Sequence, residues 1–233
     1  TVHRGSALAT SLAIQDVMDQ LAEDFADTQP LLIYAHAGQA LHMVEAPVRS
    51  LADVAGKKLR IPSRSGAMLV EAWGAQPVGM PVPDLPQALS KGAVDGALIP
   101  FEISLPLKVH EMVESVTIGA DGRRFGTSVF IFTMNKERYE SLPGDLQAII
   151  DEHSGMALAA EIGALWDAVE APGYDATVAA GNAIIELSPE AQAEFDARAA
   201  EVEAKWIEEA NAQGLDGAAL VEAARAAVER HSN

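Results

Sequence analysis

The chain has 233 residues, of which 49% are hydrophobic and 21% are charged, and this composition is typical of a globular protein rather than a disordered one. The formal net charge of −18 disfavours nucleic acid and anionic lipid as partners, because both would be repelled. The absence of cysteine excludes disulfides, thiolate metal sites and cysteine nucleophiles. We expect no membrane insertion, since no apolar run is long enough to span a bilayer.

Hydrophobic spacing and turn residues predict helices and short strands in alternation through the first hundred residues. In chain order these are a helix over 6–26, strands over 31–34 and 41–44, a helical turn from Ser50, a strand over 57–61, a helix over 67–73, an extended segment over 77–80, a helix over 83–91 and a strand over 97–99. This alternation favours an α/β sheet.

The remainder of the chain is predicted to be mostly helical. The predicted elements are a strand over 125–134, a helix from Gly144 to Ala168, a short strand over 183–187, a helix from the Ser188 cap to about Ala212, and a terminal helix after a turn at 214–217. The helix from Gly144 is long enough to connect two lobes.

The segment from Lys57 to Gly66 carries the clearest chemical signal. It places Arg60 near the end of a strand and follows it with a proline and a Ser/Gly loop that opens a helix. In α/β folds, ligands bind beyond the carboxyl ends of strands, and a helix start offers free N–H groups. The guanidinium of Arg60 can hold a carboxylate through two parallel hydrogen bonds, and Ser63 or Ser65 could add a hydroxyl. The alternative for Arg60 is a solvated strand end.

Several stretches, in this order, resemble the solute-binding proteins of tripartite ATP-independent periplasmic (TRAP) transporters, of the dicarboxylate-binding (DctP-like) type. They are LADVAGKKLRIP at 51–62, WGAQPVGMP at 73–81, QALSKGAVDG at 87–96, NKERY at 135–139 and LPGDLQ at 142–147. The resemblance covers nearly the whole chain and is strongest over residues 51–150.

The resemblance implies a two-lobed, periplasmic-binding-protein-like α/β fold with a long lobe-bridging helix, closing on its ligand like a hinged clamp. It implies that Arg60 binds the carboxylate of a small organic acid, and that the loaded protein delivers this cargo to membrane permease subunits. The implied location is the bacterial periplasm after export. No catalysis, cofactor or metal is implied.

The family pattern also suggests how the chain divides into lobes. Residues 1–37 with 126–165 would form the remainder of the first lobe, and residues 38–125 with 166–233 would form the second. Family members usually carry further sequence before the point at which this chain begins. We therefore expect the first lobe to be incomplete, its N-terminal part being absent from the protein or only from this chain.

Two departures from the family pattern bear on the ligand. Relatives that bind sialic acid carry a second arginine at a place that falls here at about Ala40, beside Gln39, and an asparagine at a place that falls at about Ile99. Because apolar groups replace two polar contacts, a sugar acid would leave hydroxyls unpaired. An aromatic or a short aliphatic (2-oxo) monocarboxylate is the better fit.

The candidate binding residues besides Arg60 are three aromatic walls and four polar side chains. Phe101, Phe125 and Phe130 are the candidate walls, although each could be plain core. Thr127 and Ser128 match positions near the ligand in the family, and Gln39 and Ser63 complete the predicted site.

Other polar residues are expected to be structural or solvated. His36 and His42 could share a strand face, but no third metal ligand is evident. Glu102 is expected to be a solvated loop carboxylate. Arg123 and Arg124 could shape the positive potential of a cleft, although surface solvation is the simpler expectation.

An enzyme acting on an organic acid with the same scaffold is one alternative function, which no nucleophile motif or phosphate loop supports. A sensory binding protein is the other.

Overall fold

A computed structural model of the chain describes residue 3 and residues 5–232, without the side chains of residues 19 and 22. Within this range no helix combines the length and the apolarity that a membrane crossing requires. The chain forms two compact units. The six-stranded unit consists of Gly38–Ser128 and Val169–Ala218. The two-stranded unit consists of the residues up to Ala37, of Val129–Ala168, and of the residues from Ala219 onward.

The observed units and the predicted lobes differ at residues 126–128 and 166–168, which belong to the other unit, and in the C-terminal segment. The sequence-based division assigned all of 166–233 to the second lobe, whereas the residues from Ala219 onward group with the two-stranded unit. Ala227 and Val228 pack there against Ala13, and Arg230 pairs with Asp16 at 2.8 Å. Residues 1, 2, 4 and 233 of the predicted segments lie outside the described residues.

The strands and α-helices found in the described part of the chain are numbered in chain order. The strands are β1 (Thr28–Ala35), β2 (Ala40–Met43), β3 (Lys58–Ile61), β4 (Gln76–Gly79), β5 (Gly96–Ile99), β6 (Ser115–Ile118), β7 (Val129–Asn135) and β8 (Ala183–Glu186). The helices are α1 (Ala7–Asp16), α2 (Leu51–Val54), α3 (Arg64–Ala72), α4 (Leu85–Ser90), α5 (Phe101–Ser104), α6 (Lys136–Glu140), α7 (Gly144–Glu152), α8 (Gly155–Ala179), α9 (Pro189–Ala212) and α10 (Gly217–His231). Single 3-10 segments lie at Met18–Phe25, Val82–Asp84, Val109–Glu111 and Ala120–Gly122.

The six-stranded unit is built on a mixed sheet with the strand order β4-β3-β5-β2-β6-β8. Strand β3 pairs in parallel with β4 and β5, and β6 pairs in parallel with β8. Strand β2 is antiparallel to both of its neighbours, β5 and β6. The predicted α/β sheet is confirmed, and β3 with its arginine lies one strand from the edge.

Residues alternate between two cores on the faces of this sheet, as the period of a strand requires. Leu41, Leu59 and Leu98 lie in one core, which also contains Trp73 and Phe125. The residues that alternate with them, such as Ala40, Ala97 and Ile99, lie in the other core together with Phe101. Each strand of the centre is therefore buried on both faces.

The two-stranded unit contains an antiparallel pair of β1 and β7. The carboxylate of Asp167 on α8 accepts bonds from the Ser6 hydroxyl and from the backbone N–H groups of Ala7 and Leu8 at the start of α1. Tyr34 of β1 stacks on Phe130 of β7 with ring centroids 5.3 Å apart. Strand β7 begins four residues later than predicted, because Phe125 and Gly126 pair instead with the backbone of Gln39.

The predicted helix from Gly144 to Ala168 is observed as two helices, α7 and α8. They are separated near Gly155, which adopts a φ of +64°, and α8 then runs beyond the predicted end despite Pro172. Proline cannot donate a helical bond, so the ladder of α8 lacks one hydrogen bond at this point. The next residue, Gly173, contacts the start of α5 so closely that an added Cβ would overlap the Phe101 carbonyl oxygen.

Candidate carboxylate-binding site

Arg60 lies on β3 and is buried, with 6% of its surface exposed. Its Nε and Nη2 groups both donate to the carbonyl oxygen of Met80 at 3.2 Å, and Nη1 donates to the carbonyl oxygen of Leu98 at 3.5 Å. Within the described residues it forms no ion pair with a carboxylate. Burial lowers the pKa of the guanidinium from its usual value. Arg60 is therefore a buried cation whose partners are neutral carbonyl groups.

The face of the sheet on which Arg60 lies follows from the strand period. Leu59 and Ile61 belong to one core, so Arg60 lies on the opposite face. On that face it is opposite Ala97 of β5, and Ala97 is in turn opposite His42 of β2. Burial lowers the pKa of His42 to about 3, so this imidazole is neutral at pH 7.

Apolar side chains occupy the next register position on the same face. Ala40 is paired with Ile99, and both residues are almost fully buried in the core that contains Phe101. These two positions are those at which the sequence departs from the sugar-acid pattern. An arginine with neutral partners therefore lies on the same sheet face as small and aliphatic side chains.

Ser63 and Ser65 lie at the start of α3, directly after β3. The hydroxyl of Ser63 accepts from the Gly66 backbone N–H at 3.2 Å and lies 3.0 Å from the hydroxyl of Ser65. Ser63 is half-buried and acts as the N-cap of the helix. The bond to Ser65 uses either the proton or the second lone pair of the Ser63 hydroxyl, so one of the two stays available for a ligand group.

Gln39 is buried and fastens the segment that carries the two other polar candidates. Its backbone N–H donates to the Gly126 carbonyl at 2.8 Å, and its carbonyl accepts from the Phe125 N–H at 2.9 Å. Its side-chain Nε2 donates to the Ser128 hydroxyl at 3.2 Å. Gly126 has a φ of +101°, which a side chain would strain. Gln39 therefore holds residues 125–128 in place, while Thr127 and Ser128 remain half-buried.

Two of the predicted aromatic walls, Phe101 and Phe125, lie on opposite faces of the sheet, and the third, Phe130, belongs to the two-stranded unit. Phe125 packs with Trp73 and Phe195 in the core that faces away from Arg60, with ring centroids 5.2 and 5.6 Å from its own. Its position does not support a role as a ligand wall, because this aromatic trio fills the core under α3 and α9. Phe101 lies on the Arg60 face but is fully buried.

The ring of Phe101 is enclosed by three side chains, and one of them was expected to be solvated. His42 and Tyr174 contact it edge-on at 5.4 and 5.2 Å, and the guanidinium carbon of Arg124 lies 5.3 Å from its centroid. Only 17% of the Arg124 side chain is exposed, and its Nη2 lies 3.8 Å from Glu170 Oε2. The expectation that Arg124 is a solvated surface residue is therefore wrong.

Glu102 is the other residue whose environment the sequence did not indicate. It is the second residue of α5, directly after Phe101, and its backbone N–H donates to Glu170 Oε1 at 3.2 Å. Burial and the neighbouring Glu170 carboxylate raise the pKa of Glu102 to about 7, so it is not an ordinary solvated carboxylate. Glu170 and Tyr174, which surround the start of α5, come from α8 and are distant in the sequence. No pattern close to Glu102 indicates them.

The structure does not bring the two histidines of the metal alternative together in one unit, since His36 precedes the unit boundary and His42 follows it. Among the described residues, no group of three or more His, Asp or Glu side chains is arranged to hold a metal ion. Arg60, Ser63, Gln39, Phe101, Thr127 and Ser128 all lie in the six-stranded unit.

The six-stranded unit thus combines a mixed α/β sheet with a cation that is buried at the end of a strand, next to the start of a helix. Residues 6–209 match the model of the bacterial extracellular solute-binding protein family 7 (DctP), and the chain belongs to that family. The predicted membership in the TRAP solute-binding proteins is thereby confirmed, and with it the predicted two-lobed fold class.

Two solved structures have similar sequences as well as similar folds. A TRAP solute-binding protein of an unidentified marine-metagenome microbe, specific for aromatic acid ligands and in complex with metahydroxyphenylacetate, is 40% identical with a TM-score of 0.94. One from Rhodoferax ferrireducens, with copurified benzoate, is 38% identical with a TM-score of 0.93. In both comparisons the match covers 98% of this chain and 72% of the other chain.

A third structure extends the likeness of the fold alone. The TRAP periplasmic solute-binding protein of Bordetella bronchiseptica, with bound (R)- and (S)-mandelate, has a TM-score of 0.89 at 24% identity, over 98% of this chain and 73% of that one.

Proposed function

We propose that the protein is the ligand-binding subunit of a TRAP transporter, that it captures an aromatic monocarboxylate, and that Arg60 is the clamp for the carboxylate. The observation that carries the proposal is the buried guanidinium of Arg60, which has neutral carbonyl partners and no carboxylate partner among the described residues. A buried cation of this kind gains most from an anionic ligand, because it has already lost its water on folding.

The apolar pair on the same sheet face supports an aromatic rather than a hydroxylated ligand. Ala40 and Ile99 offer no donor or acceptor to a sugar hydroxyl, and a hydroxyl buried against them would lose its bonds to water. A phenyl ring has no such requirement. The aromatic acids that occupy the relatives with 40% and 38% identity are of this chemical type.

A calorimetric panel tests this proposal on protein that has been unfolded, washed and refolded to remove bound ligand. Benzoate and 3-hydroxyphenylacetate are expected to bind and to raise the melting temperature by mass action. Benzamide is the matched control, since it keeps the ring and removes the charge, and it should not bind. D-Glucuronate and pyruvate test the sugar-acid and 2-oxo-acid alternatives. Binding of glucuronate without benzoate would overturn the assignment.

The partner and the location follow from the role of the family. We propose that the loaded protein docks on the permease subunits of a TRAP transporter at the outer face of the bacterial inner membrane, after export to the periplasm. Uptake of radiolabelled benzoate by vesicles that contain the permease should require addition of the loaded protein. Uptake that proceeds equally well without it would contradict this role.

A further inference from the structure

Arg124 occupies an unusual position for an arginine in a loop between two strands. Its guanidinium carbon lies over the ring of Phe101, and its Nη1 donates to the Gly122 carbonyl at 2.7 Å. The carboxylate of Glu170 is 3.8 Å away, and the side chains of both residues are mostly buried. An arginine that is stacked on a ring and near one carboxylate has little freedom to move.

The preceding residue, Arg123, offers a direct contrast. Its side chain is 47% exposed and pairs with the equally exposed Asp196 of α9 at 3.0 Å. Exposed pairs of this type contribute little to stability. The two arginines thus differ in environment although they are adjacent in the same loop.

Glu170 connects Arg124 to a second part of the candidate site. Its Oε1 accepts from the Glu102 backbone N–H at the first turn of α5, while its Oε2 faces Arg124. Helix α5 begins directly after β5, the strand that places Ala97 opposite Arg60. The Glu170 carboxylate therefore contacts both the start of α5 and Arg124, which lies in the loop between β6 and β7.

Directly after Arg124 comes the segment that Gln39 fastens. Phe125 and Gly126 form the two backbone bonds with Gln39, and Ser128 accepts its side-chain amide. Arg124 is thus joined by one peptide bond to the segment that Gln39 fastens. Thr127 and Ser128, the polar candidates for ligand contact, lie three and four residues after Arg124.

We propose that the Arg124–Glu170 pair is a positioning device that holds Phe125–Ser128 in the geometry required for ligand binding, and that Glu102 tunes this pair. The inference rests on the proposed function insofar as the ligand is an aromatic carboxylate. Arg124 and Glu170 act through the backbone of residues 125–128 rather than by touching the ligand.

The charges around Glu102 explain how it tunes the pair. The ionisable groups on the elements packed around α5 include Glu170 and Tyr174 of α8, Arg124 of the loop and His42 of β2, whose ring contacts Phe101. They also include His110, whose ring lies 3.1 Å from the Ser104 carbonyl oxygen, and Glu111 beside it. With Glu102 protonated, Arg124 and Glu170 balance each other. An ionised Glu102 adds one uncompensated negative charge next to Glu170, consistent with its raised pKa, and disfavours an anionic ligand in the same unit.

Calorimetric affinities for benzoate and amide hydrogen exchange in the ligand-free protein test the positioning role. Arg124→Gln and Glu170→Gln should each raise Kd about tenfold, and the double variant should be no worse than either single variant, because all three lose the same pair. Exchange at the amides of Phe125 and Gln39 should accelerate by at least the same factor. Arg123→Gln is the matched control and should leave both quantities within about twofold of wild type.

Additive effects of the two single substitutions, or equal effects of Arg123→Gln and Arg124→Gln, would overturn the proposal. Hydrogen exchange needs no ligand, so it decides the positioning role even where the wild-type protein binds no aromatic acid. In that event the proposed function alone fails.

The pH profile tests the tuning by Glu102 with a variant that changes neither size nor backbone. The wild-type Kd should rise about threefold between pH 6 and pH 8, the order of magnitude for one partly screened charge. Glu102→Gln should give a flat profile at the pH 6 value. The tuning role is excluded if the wild-type profile is already flat or if Glu102→Gln leaves the profile unchanged. A Glu102→Gln variant that behaves as predicted supports the tuning role even where Arg124→Gln does not fold.

Discussion

Replacement of Arg60 by methionine should separate ligand binding from folding. The guanidinium is buried and donates to two backbone carbonyl groups without a carboxylate partner in the described structure. Methionine has a similar reach and no charge, so it removes the cost of a desolvated cation and loses hydrogen bonds worth about 1 kcal/mol each. We expect these opposing effects to leave the free energy of unfolding within about 1 kcal/mol of wild type.

Binding should respond very differently from stability. Truncation of one partner of a buried, hydrogen-bonded charge pair costs about 2–5 kcal/mol, which corresponds to a rise in Kd of roughly 30-fold to several thousandfold. Arg60→Lys keeps the charge but loses the planar fork, so its Kd should lie between those of the wild type and of Arg60→Met.

The assay is titration calorimetry with benzoate on refolded protein, together with urea unfolding of the ligand-free form. Arg198→Met is the control, because it makes the same change of charge at an exposed residue of α9 that pairs with Glu201. A folded Arg60→Met protein that binds benzoate within threefold of wild type would refute the clamp. A loss of stability above about 3 kcal/mol would show that Arg60 is chiefly structural.

Three further predictions concern the surroundings of the site. Gly173→Ala should destabilise the protein by about 2 kcal/mol in urea unfolding, because the added Cβ would meet the carbonyl oxygen of Phe101. Alanine is ordinarily the better helix former, so a gain in stability would contradict the close contact. The pKa of Glu102 is raised to about 7 from an ordinary value of 4.5, so stability should fall as the pH rises through 7, and Glu102→Gln should lessen this decline between pH 5 and pH 8; equal declines in both proteins would contradict it. Gln39→Leu should weaken benzoate binding about fivefold, the equivalent of one hydrogen bond, and Ser128→Ala should add little to it; fully additive losses in calorimetry would show that the bond between Gln39 and Ser128 is not what matters.

Local chemistry explains why most elements could be predicted. Serine caps at Ser63 and Ser188 mark the starts of α3 and α9, and both hydroxyls accept the expected backbone bonds, from Gly66 and Ala191. These signals lie within a few residues of the boundary that they define. Strand β6 was not predicted; its partners in the sheet, β2 and β8, are far away in sequence.

The burial of Arg60 could not be predicted from the residues next to it in the sequence. Its position after two lysines and before a proline indicated a strand end near a ligand site. Its actual partners are the carbonyl groups of Met80 and Leu98, 20 and 38 residues away. Both contacts depend on the strand order β4-β3-β5, which no local pattern specifies.

Arg123 and Arg124 also lie in environments that local sequence does not distinguish. They are adjacent and of the same residue type, and the sequence suggested solvation for both. One pairs with Asp196 at the surface, and the other lies over the ring of Phe101 beside Glu170. The difference is set by α8 and α9, which join the unit from distant parts of the chain, so only tertiary structure could reveal it.

The strongly acidic composition and the affinity proposed for an anion are compatible because the two act at different ranges. A net charge of −18 spread over the surface is screened beyond about 8 Å at physiological ionic strength. The guanidinium of Arg60 is buried, so its interaction with a ligand carboxylate is screened much less. The carbonyl groups of Met80 and Leu98 hold it in place without neutralising it, so the ordering and desolvation of the cation are completed on folding rather than on binding. In the role proposed for Arg60, selectivity for anions therefore depends on a single preorganised charge, which the acidic surface does not oppose at contact distance.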